Sequence, residues 1–226
     1  MGAASNLPLY VGVGVGAALL VGMSRAALAS SGNLPGDAEG LRKRAKVNPK
    51  AAAALVPYVS KWAKVFQYPA SLHMALMSIE SGYDPNNLPP PGASDWANGR
   101  GGAWGLSQML LVTAQGLTKN APNTAKQYWP TWDGTGKGLQ DPQVSLAITG
   151  YALGKLWAHY RSNPNAWMLT GLSWNRGQAG VDRLLNASNI PGPGAHYYNA
   201  LAAQRQSNPN VIALVDSEKK GGYAFA

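Results

Sequence analysis

Cysteine is absent from the chain. Its absence excludes disulfides, thiolate nucleophiles and cysteine-based zinc sites. Histidine is nearly as scarce: His73, His159 and His196 are scattered, with no pair at metal-ligand spacing. Neither a metal centre nor a cofactor is therefore expected, and each histidine reads as a surface or internally satisfied residue. Acids are few as well, 10 Asp+Glu against 19 Lys+Arg, for a net charge of +9 and a sequence pI of about 9.8. An excess of that size points to an anionic partner: a cell-wall polymer, a membrane surface or nucleic acid. Stretches alternating like a half-buried strand are missing too, which leaves a mainly α-helical chain.

The charge is unevenly placed. Eight basic residues and two acids precede residue 70, so +6 of the +9 belongs to the N-terminal third, with "LRKRAK" at 41–46 as its centre. Upstream, "LPLYVGVGVGAALLVGM" (7–23) carries no charge and, with flanking small residues, approaches the roughly 20 residues that span a bilayer. Three readings compete for it. A cleaved signal has "ALA" at 27–29 in its favour but lacks a basic stretch in "MGAASN". A retained membrane segment is supported by Gly12 and Gly16, whose GxxxG spacing lets helices pack closely into an oligomer. A helix buried in a protein assembly is the third. The positive-inside rule, with all basic residues following the segment, would put the rest of the chain in the cytoplasm.

The remainder divides by composition. Residues 1–29 form the hydrophobic membrane or assembly segment and 30–48 a basic linker. A helical body is expected over 49–202, and 203–226 reads as a turn, a short apolar stretch and a loose tail. Helix is expected over 49–67, interrupted or restarted at Pro57, and over "ASLHMALMSIES", opened by Pro69 and stopped at Gly82 and Pro85. Residues 84–102 form a long Pro- and Gly-rich loop. Helical patterns resume at 104–119, 141–160 and 166–175.

One carboxylate stands out. Of three glutamates, Glu80 alone ends an apolar helical run, sharing a face with His73, Leu76 and Met77 beside the long loop. Partial desolvation there raises a carboxyl's pKa toward the range useful for a general acid. From position alone, a helix-end cap or ion pair explains Glu80 equally well.

The wider pattern breaks that tie. "IESGYDPN" (79–86), "GAWGLSQMLLVTA" (102–114), "LQDPQVSLAITGYALGKL" (139–156) and "LSWNRGQAGV" (172–181) resemble, in order, the motifs of the soluble lytic transglycosylase family. Those enzymes cleave peptidoglycan glycan strands and have a lysozyme-like α-helical fold related to goose-type lysozyme. The resemblance implies that Glu80 is the catalytic acid. It also implies substrate contacts from Ser81, Trp104, Gln108, Tyr151, Trp174 and Asn175. Ser107, Leu110 and Leu111 depart from the family's usual residues, and "NRGQAG" departs from its Ala-Gly-Pro-Gly. Eight tryptophans beside two phenylalanines suit sugar binding, since indole offers a flat apolar face and one donor.

The mechanism implied by the resemblance is cleavage of the MurNAc–GlcNAc bond with a 1,6-anhydro product. Glu80 serves first as acid and then as base for the sugar's own C6 hydroxyl, without a second carboxylate. A muramidase, with Asp95 holding a water, is the alternative product outcome. The partner is then peptidoglycan, reached at the periplasmic wall by a membrane-associated protein. The charge layout around the apolar segment favours delivery from outside, as a phage virion protein breaching the wall, over a host-made, membrane-anchored enzyme of a secretion or conjugation apparatus. A non-enzymatic assembly protein keeping a worn glycan-binding domain is the rival of another class. Nucleic-acid binding through 42–50 rests on charge alone and is set aside.

Overall fold

A computed structural model describes residues 49–88, 102–186 and 195–221. The hydrophobic segment 1–29, its Gly12–Gly16 spacing, the linker 30–48 and Asp95 lie outside these. Among the described residues no helix is long and apolar enough to cross a membrane. The structure is mainly helical: α1 (Pro49–Phe66), α2 (Ala70–Glu80), α3 (Leu111–Lys119), α4 (Asn123–Lys126), α5 (Pro142–Tyr160), α6 (Ala166–Arg176), α7 (Gln178–Asn186), α8 (Ala195–Ser207) and α9 (Pro209–Lys220). A short antiparallel pair, β1 (Ala103–Trp104) and β2 (Met109–Leu110), and a 3₁₀ turn at Lys137–Gln140 complete it.

Helix α2 is the axis of the fold. All eleven of its residues are buried, so it is a core helix walled on every side. Fully burying each of Leu72, Met74, Leu76, Met77 and Ile79 contributes about 1.5–3 kcal/mol relative to exposure. Pro69 precedes it in extended backbone, and it ends where Gly82 takes φ +62° and Tyr83 φ +67°. Around it pack α1, α8 and α9, with α6 touching one side. Helix α1 runs unbroken through Pro57, where an interruption was expected. It lies tightly against α5: a Cβ at Gly154 would stand 2.5 Å from the Phe66 carbonyl oxygen, so only glycine permits this approach. At the start of α5 the Asp141 carboxylate accepts from the Gln143 amide at 2.8 Å, a side-chain cap.

Two expectations need correcting. Residues 104–110 form the β1–β2 turn, and helix starts only at Leu111. The reason is backbone: Gly105 (φ +71°) and Gln108 (φ +49°) both sit in the left-handed region, which a helix excludes. A Cβ on Gly105 would also meet the Leu139 carbonyl oxygen at 2.2 Å. The C-terminal stretch is no loose tail through residue 221. Helix α8 runs across residue 202, and α9 follows after Asn208, whose side chain accepts from the Asn210 amide at 3.1 Å. Leu201, Val211 and Val215 are buried, so this stretch supplies apolar faces to the core.

His73, on α2, is fully buried. Its Nδ1 is hydrogen-bonded to the Tyr68 hydroxyl at 2.8 Å, and burial pushes its pKa down to about 3. Unfolding returns it to about 6.5. Between those values the unfolded chain binds a proton that the folded chain refuses, so stability falls as pH falls through this window. The slope is at most about 1.4 kcal/mol per pH unit from this one group. Urea midpoints measured from pH 7 to 4 are expected to drop more steeply for the wild type than for His73→Gln; parallel curves would remove His73 as the cause.

Candidate active site

Glu80 is the last residue of α2 and only 5% exposed. The sequence explains its place: the apolar run carries the helix into the core, and the Gly82–Tyr83 reversal stops it as the side chain reaches the far end. Its Oε1 accepts a 2.6 Å hydrogen bond from the Tyr197 hydroxyl. Tyr197 is buried in α8, and burial first, then the nearby Glu80 charge, pushes its pKa well above the ordinary tyrosine value. That phenol stays protonated at neutral pH, so it acts as a fixed donor that orients the carboxyl.

The loop after α2 is tied back to this point. Asn87 Nδ2 donates to the Glu80 carbonyl at 3.3 Å, and the Asn87 carbonyl accepts from Gln108 Nε2 at 2.7 Å. Gln108 Nε2 also donates to the Gly105 carbonyl at 3.0 Å. Ser81 Oγ donates to the Leu106 carbonyl at 2.6 Å. These bonds clamp the β1–β2 turn against the end of α2. Tyr83, in turn, has its hydroxyl held by Asn208 Nδ2 at 3.0 Å, from the α8–α9 junction.

The residues expected to contact substrate separate into groups. Ser81 and Gln108 are brought to Glu80, but their hydrogen bonds to Leu106, Asn87 and Gly105 brace backbone. Trp174 is a core residue, 2% exposed, with its Nε1 donating to the Ser107 carbonyl at 3.2 Å. It presents no face for a sugar, contrary to expectation; the large ring is buried because α6 supplies a wall of the core. Asn175 follows it, also buried, at 5% exposure. Trp104 is half-buried and packs over Gly136, where a Cβ would come within 2.1 Å of its ring. Tyr151 belongs to a separate aromatic cluster, 5.7 Å from Phe66 and 5.6 Å from Trp129 between ring centroids. Asp84, the nearest acid in sequence, is exposed and accepts from the Asn86 amide at 2.8 Å, as part of the turn.

Sequence reasoning missed Tyr197, Asn87 and Asn208. Tyr197 lies 117 positions from the group it serves. Its one local signal is the "HYYNA" pair of tyrosines, of which Tyr197 is the buried one. Among the described residues, no group of three or more metal-ligating side chains converges. Cavities of about 200 and 550 Å³ occur, and neither is lined by Glu80.

A helical body around one buried core helix, with a carboxyl at that helix's end held by a tyrosine from a distant element, is consistent with a lysozyme-like α domain. Residues 57–192 match the Transglycosylase SLT domain, and the chain belongs to that family. Membership makes this a peptidoglycan-acting protein of the lytic transglycosylase type, working on the cell wall. A comparison with curated proteins returned no match. Tyr197, Asn208 and α9 lie beyond the matched span, although Tyr197 holds Glu80, Asn208 holds Tyr83 and α9 packs on α2.

Removal of the Tyr197 hydroxyl tests its part in the site. A donor to a carboxylate favours the charged form, so Tyr197→Phe is expected to shift the alkaline limb of the pH–rate profile upward. The rate at neutral pH should fall by roughly ten- to a hundredfold, the size of one hydrogen bond of about 1.5–3 kcal/mol to a charged group. A pH profile unchanged in shape would show that Tyr197 only packs.

Proposed function

We propose that the chain cleaves the MurNAc–GlcNAc β-1,4 bond of peptidoglycan as a lytic transglycosylase, with Glu80 as the catalytic residue. The observation that carries this reading is the buried Glu80 carboxyl, fixed through Oε1 by Tyr197 within the family-matched fold. Glu80 gives its proton to the bridging oxygen as the C1–O bond breaks, so the GlcNAc side leaves as an alcohol. The positive charge at C1 of MurNAc is held by that sugar's N-acetyl group. Carboxylate Glu80 then takes the proton of the C6 hydroxyl as its oxygen bonds to C1, which closes the 1,6-anhydro ring and restores the acid. No second carboxylate takes part, in keeping with the turn-forming role of Asp84.

Substrate contacts in this reading come from the surroundings of the clamp, with Gln108 and Ser81 holding its backbone. Mass spectrometry of fragments released from purified peptidoglycan decides the chemistry. Anhydro-muramyl ends are expected; reducing ends would overturn the transglycosylase step in favour of a muramidase that directs water through a second group. The apolar run 7–23, with every basic residue of the sequence lying after it, supports delivery to the wall from outside the cell as a virion component. The protein should then be found in purified virions, and its detection in the envelope of uninfected cells would refute that route.

A further inference from the structure

The N-terminal end of α2 is capped from far away. Pro69, at the cap position, offers no side-chain acceptor to the helix's first amides. Glu218 of α9 supplies one: its Oε1 accepts from the Ser71 amide at 2.9 Å and its Oε2 from the Ser71 hydroxyl at 2.5 Å. Trp167 Nε1 donates to the same Ser71 Oγ at 3.0 Å, closing the far side of the network. Among the described residues no ion pair reaches Glu218. Burial pushes its carboxyl pKa up, with the Ser71 bonds only partly opposing that. A mostly buried carboxylate without a counter-ion is costly, and a cation brought beside it would recover that cost.

The carboxylate borders an open cavity of about 550 Å³, a size suited to a small ligand. Lys64, Gln67, Trp157, Arg161 and Ser217 line it with Glu218, and Lys64 and Arg161 are exposed. The chemistry is therefore paired: one partly buried carboxylate that no cation among the described residues reaches, and two exposed cations at the same cavity. A ligand with an ammonium next to a carboxylate would satisfy both. Ala70 also lines the cavity, so it opens at the end of α2 opposite Glu80, about 15 Å along an eleven-residue helix.

We propose that this cavity binds an amino-acid head group, ammonium toward Glu218 and carboxylate toward Lys64 and Arg161, belonging to an uncross-linked stem peptide of the wall. The proposal rests on the peptidoglycan reading for the identity of the ligand, though not for the site. Stem peptides ending in a diamino dicarboxylic acid carry such a free head, and a site at the opposite end of α2 would hold the wall while a strand is cut at Glu80.

Calorimetry with the full chain and the tripeptide L-Ala-γ-D-Glu-meso-diaminopimelate tests it. Binding is expected, acetylation of the L-Ala amine alone should leave it unchanged, and acetylation of the diaminopimelate amine should abolish it. The double variant Lys64→Glu/Arg161→Glu, which changes only exposed side chains, should weaken binding by roughly tenfold or more. Glu218→Gln should weaken it similarly, with a melting curve run beside it because Glu218 also caps α2. No binding by the wild type, equal binding of the peptide acetylated on its diaminopimelate amine, or undiminished binding by the double variant would each overturn the site. Free meso-diaminopimelate binding as tightly as the tripeptide would overturn the stem-peptide assignment. Digestion of peptide-free glycan strands by the wild type separately reports the catalytic reading, so a failure of that reading is distinguishable from a failure of this one.

Discussion

Glu80→Gln is expected to lower fragment release from peptidoglycan by roughly two to four orders of magnitude, the range that a positioned general acid contributes. Glutamine has nearly the same shape, and its amide oxygen can still accept from Tyr197, so the fold has little reason to change. What disappears is the proton given to the leaving oxygen and the base that recovers it. A melting temperature close to that of the wild type, together with loss of soluble fragments, is the expected pair of results. Full activity in the variant would falsify Glu80 as the acid. The contrast with Tyr197→Phe is informative, because that change leaves the proton donor in place and alters only its setting.

Trp174→Ala should act on a different quantity. The resemblance to the family made this residue a candidate for stacking on sugar, in which case truncation would raise KM and leave stability alone. Its burial and its bond to the Ser107 carbonyl predict the reverse. Removing a buried tryptophan side chain costs about 3–5 kcal/mol. A typical domain has only about 5–15 kcal/mol in total. The variant should therefore melt far lower or fail to accumulate folded, and any activity loss should follow the folded fraction. Because Ser107 belongs to the turn that Gln108 ties to Asn87, the damage would also reach the clamp on Glu80. A stable Trp174→Ala variant with only a raised KM would show that the ring meets substrate.

The position of Glu80 was legible because helix formation is local. An uncharged run of good helix formers, a proline before it and a glycine after it define α2 without reference to the rest of the chain. The same holds for α5 and α6, whose apolar periodicity and flanking residues match the helices found. The ordered motifs added the family, since they report which segments occur together.

The misread stretches share a physical origin. Residues 104–110 have helix-compatible side chains, but their path is set by Gly105 and Gln108 at positive φ and by the Leu139 carbonyl oxygen approaching Gly105. Helix α9 looked like a tail because its sequence is polar on average; it is ordered by burying Val211 and Val215 and by Glu218 capping a helix 147 positions earlier. Trp174 is an aromatic whose role depends on which side of α6 faces the core. The sequence by itself determined helices such as α2, α5 and α6, the family and the carboxylate placed at a helix end. Only the tertiary structure decided which tyrosine holds that carboxylate, which tryptophan is core, and what caps α2, because each depends on contacts between residues far apart in the chain, which local propensity and spacing do not encode.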